Sequence, residues 1–164
     1  MTQTYTISRR KFWNFNVTSI LIFINILTFI LFSLLIYFYK LGVEQFAIQP
    51  ANILQGEYIW TFITSMFMHG GFFHLFVNMI TLLFIGGLVE RLIGSKRFFW
   101  FYMISGIFAS LIFILSAFIF TADMNAYAVG ASGAIFALVG FLMIITPNLP
   151  VYAMFIPIPI KMKY

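Results

Sequence analysis

The sequence predicts an all-α fold, a polytopic bundle of transmembrane helices, and three observations predict it. Hydrophobic residues make up 63% of the 164-residue chain, while only 8% are charged. The apolar residues gather into four runs of bilayer-crossing length, about 20 residues each as helix. The basic residues fall almost entirely on one side of those runs, as they do when a chain threads a membrane in one orientation. A water-soluble core of this size needs no such composition. Cysteine is absent, which removes disulfides, thiolate nucleophiles and thiolate metal sites from consideration.

Taken in order, the first span covers residues 17–39, a strongly apolar run without a charged residue. "SRRKF" ahead of it resembles a twin-arginine export signal. The run behind is too long for a signal region and no small-residue cleavage site follows, so it reads as an uncleaved helix. Residues 40–70 hold Pro50, Gly56 and two acids yet are rich in aromatics. That mixture predicts an ordered loop lying at the membrane interface. The second span covers residues 71–92, the third 98–120 and the fourth 130–146, with residues 147–164 as a connector broken by Pro157 and Pro159.

Arg9, Arg10, Lys11, Arg91, Lys96, Arg97, Lys161 and Lys163 lie on one side of this arrangement, and Lys40 alone on the other. The positive side is cytoplasmic. Both termini are then expected inside, with the loop and the head of the fourth span outside. This explains the +5 charge without a nucleic-acid partner. The expected location is an integral protein of a prokaryotic plasma membrane.

A polar group at membrane depth costs free energy and so asks for a reason. The second span opens "HGGFFHLFVN". His74 and Asn78 are four apart, hence about 40° from each other on one helical face. His69 precedes the Gly70-Gly71 pair and belongs to the loop. The fourth span opens "VGASGAIFAL", a lone hydroxyl, Ser132, among small residues. Both spans run from outside inward, so Ser132, His74 and Asn78 can share one depth. Two explanations remain open. Small residues and polar groups can serve helix packing alone. Alternatively, Ser132 is a nucleophile, with bare backbone and two side-chain donors placed for an oxyanion. Gly133, Ala137 and Gly140 recur at near-helical spacing, which predicts a closely surrounded fourth helix. "HGGFFH" lacks the glutamate and spacing of a zinc protease. The one aspartate near a span, Asp123, cannot make a two-aspartate site, and "VGASGA" is not the G-x-S-x-G elbow. No metal, nucleotide or other cofactor is implied.

Three blocks in the right order resemble the rhomboid family of intramembrane serine proteases: "HGGFFHLFVN", "GGLVERLIGS" and "GASGAIFAL". The resemblance covers roughly residues 56–159. It implies a six-span core, of which four spans are present, and hydrolysis of peptide bonds in or near single-span membrane helices. It makes Ser132 the nucleophile. The oxyanion hole falls to the Ser132 amide with His74 and Asn78. Gly130 becomes the close approach to substrate, and His69, Gly86, Glu90 and Gly133 become supporting positions. Where the family has Trp-Arg in the loop, this chain has Trp60-Thr61. The resemblance also places the general-base histidine on a sixth span, beyond Tyr164. The chain is therefore expected to be C-terminally incomplete, lacking the fifth and sixth spans, and inactive alone. The alternative function is a rhomboid-like pseudoprotease that binds or escorts transmembrane clients without cleaving them. Neither substrate identity nor oligomeric state can be read from the sequence.

Overall fold

A computed structural model describes residues 16–120, 123–147, 150–152 and 159–161. Arg9, Arg10, Lys11, Pro157 and Lys163, all used above, lie outside them. Helix α1 (Val17–Tyr39) starts where the Asn16 side chain accepts the Ser19 amide, and ends at Lys40 in a left-handed conformation. Its buried face is narrow and largely polar: Thr18, Leu21 and Asn25. Most of its large apolar residues, such as Phe23, Leu27 and Leu31, are exposed. A water-soluble helix inverts that pattern; a helix bathed in lipid tails shows it.

The loop after α1 is ordered by short elements: a 3₁₀ turn (Val43–Gln45), α2 (Pro50–Leu54) and α3 (Thr61–Thr64). It folds back on α1, with Phe32 stacked on Phe46 at 4.4 Å and the Thr28 hydroxyl donating to the Phe67 carbonyl at 3.0 Å. Trp60 Nε1 donates to the Gln45 carbonyl at 2.9 Å. Thr61, at the departure from the family pair, is fully buried and donates its hydroxyl to Tyr58 O at 2.7 Å.

The second span is α4 (Phe72–Thr81), a π-helical turn (Leu82–Gly86) and α5 (Gly87–Ile93) in succession. Gly94, at φ 85°, then turns the chain into α6 (Ser95–Ile119). That helix begins three residues before the expected Phe98. Hydropathy sees only its apolar body, and the polar first turn with Lys96 and Arg97 is invisible to it. Three of the spans, of 23, 22 and 25 residues, are long and apolar enough to cross a membrane. The fourth, α7 (Ser132–Ile145), has 14 residues, short of the expected 130–146 because its lead-in is extended chain. Leu82, Val89, Phe98, Tyr102, Leu138 and Leu142 form the buried centre, where α5, α6 and α7 meet. Gly133 allows α6 and α7 to approach closely, since a Cβ there would come within 2.5 Å of Ala109 Cβ, whereas Gly140 faces open space. A short antiparallel ribbon, β1 (Pro150–Tyr152) with β2 (Pro159–Lys161), follows α7. It is the one non-helical regular element of the described residues.

Candidate active site

The chain leading into α7 is tied down on the loop side. Ile48 and Ala128 exchange backbone hydrogen bonds, and the Ala51 amide donates to Met124 O. The Gln49 side chain donates to Asn125 O at 3.1 Å. Gly130 is at φ 106°, a conformation an L side chain rarely adopts, and its amide donates to Ser65 O at 2.7 Å. Both features turn the chain sharply into α7, so that Ser132 is the first helical residue.

On the other side of Gly130 stands α4. A Cβ added at Gly130 would meet His74 Cε1 at 2.8 Å, His74 Nε2 at 2.9 Å and Asn78 Nδ2 at 3.2 Å. Any larger residue would push these groups away. Asn78 is buried, and its Nδ2 has no hydrogen-bond partner among the described residues. The first amides of α7 likewise have no intrahelical acceptor, being the open end of a helix. His74 and Asn78 of α4 and the open end of α7 therefore converge around Gly130, two residues before Ser132. Chemically, the arrangement favours a negatively charged oxygen.

His69 lies next to this group, its ring 5.1 Å from that of His74 and inclined at 66°. It is buried, and neither ring nitrogen has a hydrogen-bond partner among the described residues. Burial, and secondarily the neighbouring His74, lowers its pKa from 6.5 to about 4. The folded protein therefore holds His69 neutral down to about pH 4, while the unfolded chain takes up the proton near 6.5. Between these values the unfolded state binds more protons, so stability is full above pH 6.5 and falls as pH drops towards about 4. In detergent, the melting temperature of His69→Gln is expected to fall less than the parent's across that window. Equal falls would contradict it.

Glu90 is not part of this cluster. Its carboxylate accepts the amides of Val17 and Thr18 at 2.8 and 2.9 Å, the Thr18 hydroxyl at 2.7 Å and the Ser95 hydroxyl at 2.6 Å. It thus caps α1 and clasps the α5–α6 turn. Gly86 packs under Leu82 and Phe98. Ser65, whose carbonyl anchors Gly130, carries no signal in the sequence. Thr18 is equally silent, since a partner 72 positions away has no spacing to read, whereas Ser95 closes the "GGLVERLIGS" block.

The Rhomboid domain family model matches residues 56–163. RHOMBOID-like protein 4 of Arabidopsis thaliana is 42% identical over 89 residues, covering 54% of this chain and 21% of that protein. Rhomboid protease GluP of Bacillus subtilis is 40% identical over 91 residues, covering 56% of this chain and 16% of the relative. Inactive RHOMBOID-like protein 8 of Arabidopsis thaliana is 33% identical over 91 residues, 56% of this chain and 24% of the relative. The chain thus spans only a minor part of these relatives' lengths. A family model covering well over half of the chain, on a bundle of apolar helices, leads to one conclusion: this membrane protein belongs to the rhomboid family.

Proposed function

We propose that the chain carries the nucleophile half of an intramembrane serine endopeptidase that cleaves single-span membrane proteins. The observation that carries this reading is the convergence of His74 and Asn78 on Gly130, beside Ser132 at the open end of α7. In the proposed reaction Ser132 Oγ attacks the scissile carbonyl, and the α7 amide of Ser132, His74 and Asn78 stabilise the oxyanion that forms. Gly130 lets the substrate backbone come close. Small residues at the site and helix-breaking residues in the client would let a transmembrane segment reach it in extended form.

The proton of Ser132 needs a base. The sequence has two histidines, His69 and His74. His74 faces Gly130 as an oxyanion donor and His69 is held neutral behind it, so the base is assigned to the histidine that the family resemblance places on a later span. Residues 1–164 alone are then expected not to cleave a transmembrane reporter in lipid vesicles. A fusion to the remaining spans of a rhomboid protease should cleave it. Cleavage by the 164-residue chain, lost in Ser132→Ala, would return the base to His69 or His74. The second reading, a binder that does not cleave, is favoured by the inactive relative. Retention of Ser132 with both donors weighs against it, because binding needs no hydroxyl at that point.

The proposed orientation places both termini in the cytoplasm and Ser132 towards the outside, from charge alone. Relatives that come mainly from a plant lend no support to a prokaryotic location. Reporter fusions after Lys40 and Asn125 should be external, and those after Lys11 and Lys96 cytoplasmic. An internal reporter after Asn125 would reverse the assignment.

A further inference from the structure

His69 is buried beside the proposed site yet has no task in the proposed reaction. It is 6% exposed, and neither ring nitrogen has a hydrogen-bond partner among the described residues. Polar groups in folded proteins are rarely left so, because a buried donor without an acceptor costs stability. The Phe67 carbonyl is near the ring, but it accepts the Thr28 hydroxyl at 3.0 Å and makes no hydrogen bond with His69. A second neighbour is His74, whose ring stands edge-on at 5.1 Å between centroids. The two nitrogens of His74 look opposite ways. A Cβ added at Gly130 would lie 2.9 Å from Nε2, and one added at Gly70 would lie 4.0 Å from Nδ1. Nε2 thus faces the α7 lead-in, and Nδ1 faces the loop end where His69 is the residue next to Gly70.

A neutral imidazole has one N–H and one lone pair. On Nε2, that hydrogen makes His74 a donor for an oxyanion; on Nδ1, it leaves a lone pair aimed at the same place. The hydrogen bond made by the far nitrogen decides between the two forms. We propose that His69 is a positioning residue, whose ring N–H donates to His74 Nδ1 and so fixes His74 as the Nε2–H form. Burial, first, and His74, second, keep His69 itself neutral down to about pH 4, so it brings one hydrogen and no charge to the pair. No hydrogen bond among the described residues holds the ring in its present setting, and a turn about χ2, a broad torsion in histidine, brings a nitrogen to bear. The benefit to catalysis rests on the protease reading; the form that His74 adopts does not.

With two histidines in the sequence, heavy-isotope nitrogen placed in histidine alone reports on these two rings and nothing else. The sample is the 164-residue chain in phosphatidylcholine vesicles, carrying a tag free of histidine. Solid-state NMR at about pH 8.5, above the ordinary histidine range, distinguishes a ring nitrogen that bears hydrogen from one that does not. His69→Gln leaves one histidine and assigns the signals of His74. In the parent, His74 is expected to favour Nε2–H by about tenfold or more, the worth of one hydrogen bond. His69→Gln, whose amide can donate in the same place, should keep that preference, and His69→Phe should bring it within about threefold of parity. A His74 with its hydrogen on Nδ1 would overturn the proposal, as would an unchanged preference in a normally melting His69→Phe chain. Should His69→Phe not fold, the parent decides: magnetisation from the His69 N–H proton must reach His74 Nδ1, and its failure to do so overturns the proposal. In a fusion with the later spans, His69→Phe should lower kcat/KM about two- to fourfold, the share of His74 moved to the other form. Because His69 acts through His74, that loss should vanish in a His74→Ala background. A loss that persists there means a structural role and overturns the proposal. An inactive parental fusion beside the expected spectra counts against the protease reading and for the His69–His74 bond.

Discussion

Ser132→Ala, in a fusion that carries the later spans, is expected to lower cleavage by at least about 10⁴-fold, the scale of nucleophile loss in serine proteases. The melting temperature should barely move, because the hydroxyl faces a cavity and its removal leaves no buried donor stranded. His74→Ala and Asn78→Ala should each cost about 10²–10³ in rate, the worth of one oxyanion donor. Their combined loss should be less than the product, since both act on one oxygen. Gly133→Val should act oppositely: the new side chain would strike Ala109, and melting temperature rather than intrinsic rate should fall. If small residues and polar groups served packing alone, Ser132→Ala would be silent in rate and the α4 substitutions would act only through stability. Rate and melting temperature measured together on these four variants distinguish the two accounts. A Ser132→Ala fusion cleaving at the parental rate ends the protease reading.

Membrane helices are legible because their signal is local: a run of apolar residues must be long enough, and nothing distant has to be known. The same holds for the His74–Asn78 spacing, which the helical period alone puts on one face. Ser132 with its glycines was visible as an oddity, but its convergence with α4 depends on Gly130 at φ 106° and on Ser65 O, 65 positions earlier in the chain. Neither can be inferred from composition. The π-helical turn at Leu82–Gly86 also left no trace, since its apolar residues fit an α-helix equally well. The loop's aromatic content predicted order. Its partners, Thr28 for Phe67 O and Gln49 for Asn125 O, are single hydrogen bonds between distant segments and carry no periodic signal.

Those single bonds share a feature that bears on stability. Helix α1 presents Thr18, Asn25 and Thr28 inward, and Thr18 and Thr28 each engage a different element. Between helices in lipid, apolar burial supplies little drive, and such bonds with close packing must supply the rest. The strongest of them is at Glu90. One carboxylate receives two α1 amides and two hydroxyls, and its negative charge stands at the positive end of the α1 dipole. Glu90→Ala leaves two buried donors, the Thr18 amide and hydroxyl, without an acceptor, and the expected loss is about 3 kcal/mol, given that each stranded buried donor costs about 1–3. Glu90→Gln keeps the shape and one acceptor oxygen but loses the charge, so it should fall between the two. Thermal melting in detergent should rank the parent above Gln and Gln above Ala. Proteolysis should nick the Asn16–Thr18 end of α1 first in the Ala variant, because that is where the cap is lost. If Glu90→Ala melts with the parent, α1 is held by its other contacts and the carboxylate is a bystander.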